Sequence, residues 1–423
     1  MKIVLSPCLT FLFIHLAFLS FAQTGFKAGT WRGVLTLSEK KNEIILPFNF
    51  DVSYVKGKPI IEVRNAEEKI EVTEITVLKD SVIFKMPVFD SEFRTQLRND
   101  TLTGTWINYA KKEKNKIPFE AYYGDKNRFV TEPVIAGKEK AVLNFTGKYE
   151  VTFNAKKEDE YKAIGVFTQK GNILTGTFLT ETGDYRFLEG VVQNNNMVIS
   201  CFDGSHAFLF FANSSAQKGD ADSLTGRFYA GISGTEDWVA VRNEKFELKD
   251  PESITYLKNP NERISFSFPN LNKKTVSLSD EKFKNKVVII EIMGTWCPNC
   301  MDETTYLAKL YKQYKSKGLE IVALAYERTT DFEKAKNNAL RSKIKFGADY
   351  EFLITGLTGK AKASESFPFL NSISAFPTTI ILDRDHNVKS IYTGFNGPAT
   401  GKVYEQYKKK TEDLIESLLM SKH

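Results

Sequence analysis

Residues Val287 to Met293 form a run broken only by Glu291, and the amphipathic stretch Met301 to Lys317 follows almost at once. No other feature of the chain constrains its fold as tightly. A continuous apolar run of that length suits a strand buried on both faces, and such strands belong to parallel sheets covered by helices. Strand hands over to helix at Trp296-Cys297-Pro298-Asn299-Cys300, so two thiols stand at a helix N-terminus. Free backbone N–H groups and the positive end of the helix dipole favour an anion there, which makes a thiolate available near neutral pH. Cys297 is the candidate thiolate. Cys300 lies one turn on, on the same face, close enough to close a disulfide, and Pro298 takes the first helical position, where a missing N–H costs nothing.

Two bland readings compete with thiol-disulfide chemistry: half a zinc site, or two core cysteines. A structural zinc site needs four ligands. The remaining cysteines are Cys8 and Cys201, and the histidines are His15, His206, His386 and His423, widely scattered. The expected metal set is therefore empty, and no cofactor is implied. Trp296 and the strand-to-helix placement favour redox work over packing.

The first 22 residues read as a secretory leader: Lys2 carries the charge, Leu9 to Phe21 the apolar core, and Ser20-Phe21-Ala22 the small residues before a cut. The expected location is the periplasm. An uncleaved N-terminal membrane anchor is the alternative, since Ile3 to Ala22 approaches spanning length, although Ser6, Pro7 and His15 interrupt it. The formal net charge is +6, with basic and acidic residues interspersed, so nothing supports nucleic-acid binding.

From Gly25 to about Leu248 the chain alternates short strands rich in Phe, Tyr, Val and Ile with Gly, Asn and Asp turns, which predicts an all-β region. It reads as doubled. Gly29-Thr30-Trp31-Arg32-Gly33-Val34 echoes Gly147-Lys148-Tyr149-Glu150-Val151; Asp80 to Phe84 echoes Asn196 to Ser200; Leu102-Thr103-Gly104-Thr105-Trp106 echoes Leu224-Thr225-Gly226-Arg227-Phe228. Echoes in one order imply two related barrel- or sandwich-like units. The expected organisation is a leader at 1–22, β units at 23–135 and 136–248, a Pro-bearing linker at 249–261, and an α/β domain at 262–423. The β units carry no catalytic constellation; an exposed aromatic surface on them would dock a partner or a second copy of the chain, making a homodimer possible. Cys201 reads as a packed small residue.

The segment from about Glu262 onward resembles the thioredoxin fold, most closely the TlpA/ResA-type periplasmic thiol-disulfide oxidoreductases. Two motifs carry the resemblance: Lys286 to Cys297, a strand leading into W-C-x-x-C, and Phe376-Pro377-Thr378-Thr379, the family's second signature. The resemblance implies that Cys297 attacks, that Cys300 is the buried resolving thiol, and that Pro377 follows a cis bond and sets Phe376 beside the sulfurs to pair with substrate. Glu291 takes the place of thioredoxin's buried acid, where it would shuttle a proton to or from Cys300. Glu303 matches an acidic position of ResA-like proteins; an ordinary carboxylate stabilised by the helix dipole is the alternative. Trp296 and Gly394 would flank the substrate, with the insert Phe346 to Phe369 and the loop Gly394 to Pro398 bordering the groove.

Two departures stand out. Asn299 replaces the proline usual before the second cysteine, and Thr305 replaces a proline common in that helix. The resemblance further implies disulfide-bearing exported proteins as substrates and a membrane thiol electron donor of the DsbD/CcdA type. No P-x-x-x-T-x-x-C pattern surrounds Cys297, which disfavours a peroxidase. A non-catalytic adaptor whose β units recognise a partner is the reading from another class.

Overall fold

The computed structural model describes residues 25–38, 44–111, 113, 115–129, 143–216 and 218–421. The expected leader, with Cys8, and the boundary drawn at 135 both lie outside the described residues. Among those described, no helix is long and apolar enough to cross a membrane.

The N-terminal region consists of two barrel-like antiparallel sheets of nine strands each. The first runs from Gly29–Thr36 to Lys116–Tyr123 and stays open between its edge strands Glu68–Val72 and Glu74–Leu78. The second, from Gly147–Phe153 to Gly234–Arg242, closes on itself because Ile173–Thr180 pairs with both Tyr161–Lys170 and Leu188–Gln193. The echoed segments hold equivalent places. Gly29–Thr36 and Gly147–Phe153 each pair with the last long strand of their sheet, and that strand pairs with the Leu-Thr-Gly strand. The Leu-Thr-Gly motif has a steric cause. A Cβ on Gly104 would stand 2.0 Å from the Arg94 carbonyl oxygen, and one on Gly226 2.3 Å from that of Phe211, so the facing strand approaches where only glycine fits.

The two units share a core. Phe202 of the second stacks on Phe48 of the first with centroids 4.5 Å apart, and Ala207 and Leu209 join the same cluster. Arg128 is buried at this seam, donating to the Asn65 side chain and to the Ser200 hydroxyl and carbonyl. Burial without those bonds would cost several kcal/mol. Cys201, wholly buried in the second unit's core, is a packed residue as expected, and burial pushes its thiol up.

The C-terminal domain is a five-stranded sheet in the order Glu351–Ile354, Leu319–Ala325, Val287–Met293, Thr378–Leu382, Val388–Thr393. The first three are parallel and the last two antiparallel. All seven residues of Val287–Met293 are buried, Glu291 included. Helices α1 (Pro298–Tyr314), α2 (Phe332–Phe346), α3 (Gly359–Ser366) and α4 (Lys402–Met420) complete the domain. The segment expected as an insert, Phe346 to Phe369, instead supplies the edge strand Glu351–Ile354 and α3; its four-residue strand and short helix are too brief for periodicity to mark. With Thr305 in place of proline α1 runs unbroken, and the Thr305 hydroxyl donates to the Met301 carbonyl at 2.7 Å.

The stretch expected as a linker is pinned down. Glu252 accepts from Ser390 at 3.0 Å and from Lys410 at 2.7 Å, Leu257 bridges to Leu370, and Asn371 bonds the backbone of Ile254 and Tyr256. Val88 of the first β unit belongs to the C-terminal core.

Candidate functional site

Cys297 is the N-cap of α1, in extended backbone, and Pro298 opens the helix. Its half-buried sulfur accepts from the Cys300 backbone N–H at 3.4 Å, the contact of an N-capping side chain. On its other side the thiol donates to the Phe376 carbonyl, also at 3.4 Å. Both cysteines are free. Cys300 is wholly buried; burial, then the Cys297 sulfur, push its thiol well above the usual range. The pair therefore divides into an accessible sulfur and a protected one. Among the described residues, no group of three or more His, Cys, Asp or Glu could hold a metal ion.

The peptide bond between Phe376 and Pro377 is cis, and the Phe376 ring meets Trp296 edge-on at 5.7 Å. Trp296 donates its indole N–H to the Tyr326 carbonyl at 3.0 Å, and the Arg328 guanidinium lies 4.1 Å over its ring.

Beneath the thiols lie two wholly buried carboxyls. Glu291, on the central strand, accepts from Thr304 at 2.7 Å and Tyr350 at 3.1 Å. Burial, and next the repulsion of Glu303, push it well above the carboxylate range. Glu303, two turns into α1, accepts from Thr379 at 2.7 Å and Tyr407 at 2.9 Å; burial lifts it to about 7 against those bonds. Its expected alternative, an ordinary first-turn carboxylate stabilised by the helix dipole, does not fit a wholly buried side chain that lies beyond the first turn of α1.

Sequence reasoning missed the participation of the β region. Cys297 and Trp296 line a cavity of about 1360 Å³ whose walls come from both β units as well as from the C-terminal domain, including Arg328, Gly359 and Phe376. Val88 to Asp90 and Asn108 to Ala110 belong to the first unit, Thr180 to Tyr185 and Ser205 to the second. The Ser205 hydroxyl donates to the Trp296 carbonyl at 3.2 Å. Asn299 donates its side-chain amide to the Asp184 carbonyl at 3.2 Å and to the Phe395 carbonyl at 3.3 Å, while Asp184 accepts from the Gly397 N–H at 2.5 Å. The asparagine that departs from the family pattern is thus a bond between domains.

Arg186 completes the clamp. Buried at the seam, it bonds Glu68 of the first unit and Asp302 of α1, within 4.0 Å of Asp203. Burial outweighs this pairing at Asp302, which is lifted to about 7. No local pattern marks Arg186 or Asp184; the contacts that carry them across the domain seam are to partners more than 100 residues away. Gly394 was expected to border the substrate. It lies outside the cavity lining, at φ +76°, where a Cβ would stand 2.7 Å from the Thr182 carbonyl carbon, so it is a seam residue between domains.

Residues 260–407 match the Redoxin family. The chain is 31% identical over 149 residues to thiol-disulfide oxidoreductase ResA of Bacillus thuringiensis subsp. konkukian, an alignment covering 35% of this chain and 76% of that protein. It is 29% identical over 130 residues to ResA of Bacillus subtilis, covering 31% and 64%. Among solved structures, a thiol:disulfide interchange protein of the thioredoxin family from Chlorobium tepidum is similar, with 20% identity, 38% of this chain and 97% of that chain covered, and a TM-score of 0.29.

Proposed function

This chain belongs, through its C-terminal domain, to the ResA-like thiol-disulfide oxidoreductases, and from that premise we propose that it reduces disulfides in exported proteins on the periplasmic side of a membrane. The observation that carries the reading is the division of the dithiol: an accessible Cys297 sulfur capped by an N–H, beside a wholly buried Cys300. The Cys297 thiolate attacks one substrate sulfur. The substrate S–S bond breaks, its first thiolate leaves and takes a proton, and a mixed disulfide joins Cys297 to the second sulfur. Cys300, deprotonated, then attacks Cys297; the second substrate thiol departs, and the enzyme holds a Cys297–Cys300 disulfide. Two electrons have passed to the substrate, and a membrane thiol donor of the DsbD/CcdA type returns them.

Glu291 is the proton acceptor for Cys300. Burial raises its carboxyl above the ordinary range, so the transfer is less uphill than to an ordinary glutamate. The charge of Glu303 adds to the effect of burial on Glu291. Trp296 and Phe376 hold the substrate strand beside the sulfurs, with Pro377 keeping the backbone edge open. Leader removal at 22 leaves the mature protein in the periplasm.

The test is the reduction potential of the Cys297/Cys300 pair in a dithiol buffer, with Cys201 replaced by Ser. A value well below about −200 mV supports a reductase, whereas one near about −120 mV, the range of a strong oxidant, overturns that direction.

A further inference from the structure

We propose that the β region turns the redox groove into a chamber that admits a disulfide carried on an extended, unfolded chain segment and shuts out the disulfides of compact folded domains. The inference deepens the reductase reading and rests on it.

The enclosure is built, not incidental. Cys297 opens into the cavity of about 1360 Å³, and both β units contribute walls to it. The wall closest to the dithiol, Thr180 to Tyr185, is fastened on three sides. Asp184 takes bonds from Asn299 and Gly397, and Arg186, just beyond it, grips Asp302 in α1 and Glu68 in the first unit. Gly183 has no room for a side chain, since a Cβ there would stand 2.0 Å from the Asn299 amide nitrogen. A wall this tightly keyed to the intervening dipeptide is fixed beside the redox motif, and Cys297 faces the chamber.

Size then selects the substrate. A sphere of that cavity's volume has a radius of about 7 Å, against a radius of gyration of about 13 Å for a folded chain of 100 residues. A compact domain of that size does not fit inside as a whole, whereas an extended segment does. The volume also exceeds the roughly 300–1,000 Å³ of small-molecule pockets, so space remains beyond the reacting sulfurs for several residues of chain. The lining suits a peptide: aromatic faces from Phe89, Tyr109, Tyr185, Phe208 and Trp296 for side chains, with the backbone of Phe376 beside the thiol for pairing.

The experiment uses the reduced full-length protein and three oxidised substrates: a short unstructured peptide with one disulfide, a compact folded protein with one solvent-exposed disulfide, and bis(2-hydroxyethyl) disulfide. Each kcat/KM is divided by the rate of the same disulfide with dithiothreitol, which removes intrinsic reactivity. The peptide should exceed the folded protein by about 100-fold, a discrimination set by exclusion rather than attraction. Ala110→Trp, which fills the chamber from the first β unit, should lower the peptide value about tenfold more than that of the small disulfide. Equal normalised values for peptide and folded protein, a small disulfide preferred to the peptide, or an Ala110→Trp effect equal on both would each overturn the chamber while leaving the reductase intact. No turnover of any of the three would overturn the reductase reading itself.

Discussion

Replacing Glu303 by Gln should stabilise the protein at pH 8 and leave it nearly unchanged at pH 4. The carboxyl is wholly buried and lifted from its ordinary 4.5 to about 7. Between those two values the unfolded chain releases its proton while the folded chain keeps it, so stability is fully present below about pH 4.5 and is lost as pH rises through about 7. At about 1.4 kcal/mol per pH unit, the gap comes to about 3 kcal/mol. Glutamine has no such gap, and it can still accept from Thr379 and meet the Tyr407 hydroxyl, which rotates to suit an amide. Loss of the Glu303 charge also eases ionisation of Glu291, an effect of the same sign. Asp302, also lifted to about 7, is present in both proteins and cancels in the difference. The assay is denaturant unfolding of both proteins at several pH values. A stability difference that is the same at pH 4 and pH 8 would refute a buried, proton-holding carboxyl at this position.

Three further outcomes are expected. Glu291→Gln should slow disulfide exchange by at least about tenfold near neutral pH; an unchanged stopped-flow rate removes Glu291 from the mechanism. Phe202→Ala removes the ring shared by both β units and should cost about 3–5 kcal/mol, with the units still unfolding together in calorimetry; an unaltered first unit would contradict the common core. Cys201→Ser should leave turnover unchanged, and its loss would bring a third thiol into the reaction.

Much of this was legible because it is local. The apolar run at 287–293, the cysteines at its end and the helix after them are set by periodicity, propensity and capping within about thirty residues. The same holds for the doubling of the β region, whose Leu-Thr-Gly glycines are fixed by one neighbouring strand. The expected insert at Phe346 to Phe369 was misread because its strand and helix are short and derive their order from packing against the sheet.

The sequence by itself determined the redox motif, the fold of the domain that carries it and the all-β character of what precedes it. Only the tertiary structure decided what the β region does to the site. Arg186 and Asp184 carry no motif and Asn299 reads only as a departure from one; each acquires its meaning from a partner more than 100 residues away, where chain connectivity leaves no periodic trace. The buried pair Glu291 and Glu303 is of the same kind. The sequence offered both carboxyls as candidates, but only the fold buries them together, and the removal of water around both is what raises them above the carboxylate range.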